Sequence, residues 1–93
     1  MSTNKTFALI DNASGYIWLV CAAESAEAAC AAATTETGGD VAQYEQVNQL
    51  AGNEGGYIVY EAPAGFDVQD GQSQDEIASV SAMPLIGKFR AIN

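Results

Sequence analysis

Apolar and polar positions divide the chain into short strand-like runs, two helical stretches and the turn formers between them. Residues 6–10, Thr-Phe-Ala-Leu-Ile, form an apolar run that ends at Asp11-Asn12-Ala13-Ser14-Gly15, a cluster of turn formers. Residues 16–21, Tyr-Ile-Trp-Leu-Val-Cys, are aromatic, β-branched or otherwise apolar throughout. Two such runs around a five-residue loop containing Gly predict a β-hairpin. Strict alternation places Ile17, Leu19 and Cys21 on one face of the second strand and Tyr16, Trp18 and Val20 on the other. A run apolar on both faces suits a central strand covered on both sides, or one whose second face meets a partner.

The pattern then changes to Ala. Ser25 is placed to cap a helix, and Glu27 falls in its first turn, where the helix dipole favours a carboxylate. Residues 26–36 are mostly Ala, the strongest helix former, and Gly38-Gly39 is a stop signal. Ala26, Ala29, Cys30 and Ala33 share one face at helical spacing. That face is made only of small groups, so the helix is expected to pack very close to a sheet.

Residues 41–47 alternate well enough for a third strand, 48–56 form a polar Gly-containing loop, and 57–61, Tyr-Ile-Val-Tyr-Glu, predict a fourth strand. Pro63 ends it, because Pro cannot donate to a ladder. Ser73 and Glu76 stand in the Ser-x-x-Glu relation of a capping box. A short helix over 74–82 follows, with Ile77, Val80 and Ser81 facing inward and Pro84 preventing its continuation. Residues 86–92 predict a last strand, with Phe89 and Ala91 on one face and Lys88 and Arg90 on the other. The order β-β-α-β-β-α-β predicts a single α+β domain over 1–93, with a small, mostly antiparallel sheet and the Ala-rich helix packed on one face.

Composition sharpens this picture. Of 93 residues 45 are hydrophobic, but 17 of these are Ala and only 19 are Leu, Ile, Val or Phe, so the core must be thin. There are 3 Lys and Arg against 12 Asp and Glu, no His, and a formal net charge of −9. Three cations cannot neutralise a run of phosphates, so direct nucleic-acid binding is not expected. No apolar segment reaches the ~20 residues of a membrane span, and no secretory h-region follows the first residues, so a cytoplasmic protein is expected. Cys21 and Cys30 do not form a CxxC pair and read as two small core side chains rather than a redox centre.

Candidate chemistry is sparse. Without His there is no imidazole base and no Ser-His-Asp triad. Asp67 to Glu76 is rich in oxygen ligands, but placing Gly71 at the sixth position of a calcium loop puts Phe66 first and Val68 third, so the register fails. The carboxylates Glu24, Glu27, Asp75 and Glu76 sit at expected helix starts, where capping and the dipole account for them. Gly52-Asn53-Glu54-Gly55-Gly56 is neither a dinucleotide fingerprint nor a P-loop. No enzyme activity, no cofactor and no metal site is expected.

What remains is charge and aromatic surface. A small body of one sign of charge is steered towards basic surfaces, of which nucleic-acid-binding grooves are the commonest in a cell. The expected function is a non-catalytic binding protein that occludes a basic surface of a partner protein. In size, acidity, lack of His and lack of a catalytic motif, the chain resembles as a class the small phage-encoded inhibitors of host defence, anti-CRISPR proteins among them. No residue motif carries that resemblance, so it transfers no functional residue. The candidate contact acids are Asp40, Glu54, Asp67, Asp70, Asp75 and Glu76. The candidate apolar anchors are Trp18, Tyr57 and Tyr60, since aromatic residues are enriched at interface centres. The alternative expectation is a self-associating structural or accessory protein, with strand 16–21 or 57–60 at a homodimer face.

Overall fold

A computed structural model of the chain describes residues 4–36, 43–52, 55–68 and 73–92. It contains β1 (Lys5–Asp11), β2 (Ile17–Ala23), α1 (Ala26–Glu36), β3 (Gln43–Val47), β4 (Tyr57–Ala62), α2 (Gln74–Ser81) and β5 (Leu85–Ile92). The order matches the α+β expectation. Gly38-Gly39, expected to stop the first helix, and the expected start of the third strand lie outside the described residues.

The five strands form one sheet in the order β2-β1-β4-β5-β3, with every pairing antiparallel. β1, β4 and β5 are therefore interior, and β2 and β3 are the edges. Alternation along β1 divides the core into two layers. Phe7 and Leu9 pack with α1, whereas Ala8 and Ile10 pack on the opposite face. All four are buried, at 0–6% exposure, as an interior strand covered on both faces requires.

The α1 layer follows its sequence closely. The Ser25 hydroxyl accepts a hydrogen bond from the Ala28 amide at 3.1 Å and caps the helix. Ala26, Ala29, Cys30 and Ala33 are buried against Phe7, Leu9, Tyr57, Val59 and Phe89. The helix contributes small groups and the sheet contributes the bulk. The end of α1 is tied to β3 through side chains. The Thr34 hydroxyl donates to the Cys30 carbonyl at 3.2 Å and lies 2.7 Å from the Tyr44 hydroxyl. With the Thr34 proton so committed, Tyr44 is the donor in that second bond.

The other face is also covered, by α2 and the segment after β4. α2 is capped by Ser73, whose hydroxyl accepts from the Glu76 amide at 3.4 Å. Val80 is buried in the second layer with Ile77, Phe66, Val68 and Met83 packed around it. Ser81, expected to face inward, is exposed. An eight-residue helix cannot cover this face alone, and the segment after β4 completes the layer by inserting Phe66 and Val68.

Two irregularities in the ladder change which side chains face where. On β2, Leu9 pairs with Leu19 but Ile10 pairs with Ile17, so Trp18 is an extra residue at a β-bulge. The bulge reverses the phase of the strand. Ile17 joins Val20 in the α2 layer while Leu19 and Cys21 pack in the α1 layer, which corrects the strict alternation expected for 16–21. On β5, Val59 pairs with Gly87 and Tyr60 with Leu85, leaving Ile86 as the extra residue. Phe89 packs in the α1 layer, and Lys88 and Arg90 fall on the other face, as the alternation predicts.

The hairpin turn is joined to the loop before β4. The Asn12 side-chain amide donates to the carbonyls of Ala51, at 2.9 Å, and Gly55, at 3.1 Å, while its backbone amide donates to Gly56, at 3.1 Å. Gly56 has φ +86°, and a Cβ there would collide with the Phe89 carbonyl. Gly15 in the hairpin turn has φ +78° with open space around it.

Two predictions follow from this packing. Ala29→Leu and Ala33→Leu should each destabilise the fold by about 1–3 kcal/mol through overpacking, whereas Ala32→Leu, on the exposed side of α1, should be near neutral. Urea titrations read both, and equal effects at Ala29, Ala32 and Ala33 would contradict the close approach of helix and sheet. Gly56→Ala should cost more than Gly15→Ala, because both pay about 1–3 kcal/mol for the left-handed backbone but only Gly56 also meets the Phe89 carbonyl. The same titrations measure the difference.

Candidate functional site

The acids divide into those with structural duties and those that face solvent. Asp11 caps the hairpin turn, its Oδ2 accepting from the Ser14 amide at 3.1 Å and hydroxyl at 2.8 Å. Glu45 receives Arg90 Nε at 2.7 Å, and Glu61 receives Lys5 Nζ at 3.5 Å. Exposed pairs of this kind are worth only about 0–1 kcal/mol to stability. Their larger effect is on the field: two of the three cations in the chain are neutralised by neighbouring carboxylates.

Asp67 and Asp75 are exposed, and Glu76 is half-buried, all on the α2 side of the sheet. Asp67 stands between Phe66 and Val68, which both turn into the second layer, and its Oδ1 accepts from the Val68 amide at 2.8 Å. Asp75 and Glu76 occupy the first turn of α2. Glu24 and Glu27 are exposed at the entry to and first turn of α1. They are acids of the same kind that the sequence reading assigned only to helix capping. Asp40, Glu54 and Asp70 lie outside the described residues.

The aromatic candidates separate. Tyr57 is buried in the α1 layer, with its ring centroid 5.8 Å from that of Tyr44. It is a core residue and offers no surface to a partner, which corrects its selection as an anchor. Tyr60 is half-buried in the α2 layer, on an interior strand. Trp18 is 46% exposed at the bulge of the edge strand, and Tyr16, just before that strand, is 49% exposed. Leu85 and Ile92 are also exposed, near the two ends of β5. Neither was a candidate from sequence, because the bulge that brings Leu85 opposite Tyr60 has no signature in the residues themselves.

The interior offers little to chemistry. Among the described residues no polar or charged side chain is classed as buried in the core, and no group of three or more Cys, Asp or Glu is placed to hold a metal ion. Cys21 and Cys30 are not joined in a disulfide. Burial pushes the Cys30 thiol from 9.0 up to about 12, with smaller contributions from Glu27 and Cys21, so it is not a nucleophile at neutral pH. Burial likewise raises the Tyr57 hydroxyl from 10.0 to about 12, reinforced by Tyr44 and Asp11. No helix among the described residues is long and apolar enough to cross a membrane.

Compared with known proteins, the chain matches no protein-family model, no curated protein and no solved structure.

The thiols generate two predictions. Iodoacetamide at pH 8 should modify half-buried Cys21 in the native protein and reach Cys30 only after unfolding, as read by mass spectrometry with and without denaturant. Because the folded state holds Cys30 and Tyr57 protonated beyond their ordinary values, the unfolded chain loses those protons first. The contribution of these two groups is fully present well below pH 9 and should be lost as pH rises through 9 towards about 12. Cys30→Ala should flatten the decline between pH 9 and 10, where only the thiol differs. An unchanged slope would mean that the thiol is not shielded.

Proposed function

We propose that this protein acts by binding, without catalysis, and that it occludes a basic surface of a partner protein. The observation that carries this reading is the destination of the charges. Two of the three cations are spent on Glu45 and Glu61, and no charged side chain among the described residues is buried in the core, so the acids among those residues lie at the surface. With a formal net charge of −9, the molecule approaches a basic surface down a favourable potential and is repelled from acidic ones. Rim charges of this kind act mainly on the rate of association, so the acids select the partner and an apolar contact must hold it. Trp18 is the aromatic residue best placed for that contact, being exposed on the sheet edge. A groove that binds nucleic acid is the surface such a molecule would mimic its way into. The proposed class is therefore an inhibitor by occlusion, of the kind phages encode against host defence.

The test is capture of partners on the immobilised chain at low and high salt, identification by mass spectrometry, and binding kinetics for the partner found. Asp67→Lys with Asp75→Lys should lower the association rate and weaken its salt dependence while leaving the protein folded, with only a modest fall in melting temperature from the lost Val68 contact and the reversed charge at the start of α2. Trp18→Ala should raise the dissociation rate instead. Binding that is indifferent to salt and to reversal of these charges would overturn the reading.

A further inference from the structure

The two edges of the sheet are unlike. β3 is five residues long, carries Glu45 at its centre, and has exposed Gln43 and Gln46 on either side. The short strand and its charged and polar side chains, the Glu45–Arg90 pair among them, protect this edge in the usual way. β2 has none of these protections. Its seven residues, Ile-Trp-Leu-Val-Cys-Ala-Ala, include no charge, no Pro and no polar amide. It lies inside residues 12–23, a stretch with no ionised side chain in a chain that has 15. One side of β2 pairs with β1; its other side has no neighbouring strand among the described residues. Trp18 and Ala22 are exposed along it, and Tyr16 is exposed at its start. The other strand that sequence suggested for self-association, β4, is enclosed by β1 and β5 and has no edge to offer.

We propose that β2 is a homodimerisation edge, where a second copy of this chain adds its own β2 antiparallel across a two-fold axis and joins the two sheets. Charge decides the occupant. Two copies that each carry −9 repel one another over most approaches. An isologous interface places each surface against itself, so any carboxylate near the axis meets its twin. β2 is the edge on which that penalty vanishes, because in every antiparallel overlap of its residues neutral meets neutral. A pairing centred on Val20 would set Glu24 opposite a second copy's Tyr16 rather than a carboxylate. A basic partner, by contrast, would gain nothing electrostatic from a neutral strand. The bulge at Trp18 limits the regular outer ladder to Leu19–Ala23 and leaves the indole beside it as apolar contact area.

This inference shares Trp18 with the occlusion reading, but it does not use the acids and has the opposite salt dependence, so the two are told apart by salt. Association of like-charged copies tightens as salt screens their repulsion, whereas binding to a basic surface weakens. Sedimentation equilibrium of the full chain, across concentration and at low and high salt, should show the 9.7 kDa monomer doubling in mass, more readily at high salt. Trp18→Glu and Ala22→Glu, each counted twice by symmetry, should weaken the dimer by about tenfold or more. Gln43→Glu, the same charge change on the other edge, should not. Melting curves confirm that the variants fold. Hydrogen exchange should show the β2 amides that point away from β1 becoming protected as concentration rises. A monomer at all concentrations, or a dimer indifferent to the β2 variants, would overturn the proposal. Neither result would bear on salt-sensitive capture of a basic partner.

Discussion

The fold depends on covering both faces of β1 and β4 with very little large apolar side chain. These two strands are interior, so Phe7, Ala8, Leu9, Ile10 and Val59 must all leave water. The chain meets this by dividing the labour. On one face the sheet supplies Phe7, Phe89 and Tyr57, and the helix supplies only Ala and Cys, so the backbone of α1 can come close to the sheet. On the other face the sheet supplies Ala8 and Ala62 together with the larger Ile10, Ile17, Ile58 and Tyr60, and the covering elements supply Val80, Phe66 and Ile77. A larger helix face on the first side would push α1 outward and expose the Phe7–Phe89 layer, which is why so much Ala is concentrated in one segment.

This division explains what could be read in advance. Helix α1, its Ser25 cap and its buried face follow from local rules, because spacing, propensity and capping all point to one answer. The same holds for Ser73 at α2 and for Lys88 and Arg90 sharing a face of β5. What was not legible is the set of relations between elements. An apolar run such as 16–21 reports that both faces of a strand are contacted; it carries no information on whether both backbone edges are paired. β2 therefore reads like a central strand and is an edge. Bulges are equally silent: nothing in Ile17-Trp18-Leu19 marks Trp18 as the residue without a partner on β1. The site suffered from the same ambiguity. Tyr57 and Trp18 are both strand aromatics, and only the strand order and the α1 layer make the first a core residue and the second a surface one.

Charge placement and edge protection are then two sides of one arrangement. The exposed acids sit at helix starts and in the segment after β4, where capping, the helix dipole and solvation favour them. That placement removes them from the strands, and so it also removes from β2 the charges by which an edge is ordinarily guarded. An unguarded apolar edge on a neutral protein would invite open-ended association. Here the remaining charge of the molecule opposes it, because each added copy brings nine more net negative charges. Repulsion of that kind acts on every approach except one that keeps the acids apart and presents a neutral strand. The proposed two-fold pairing through β2 would satisfy both conditions and consume the edge, leaving at the far side only β3, which is shorter and carries charged and polar side chains. Acidity on this view has a structural consequence besides attraction to basic surfaces: it converts an edge liable to aggregate into one that stops at two.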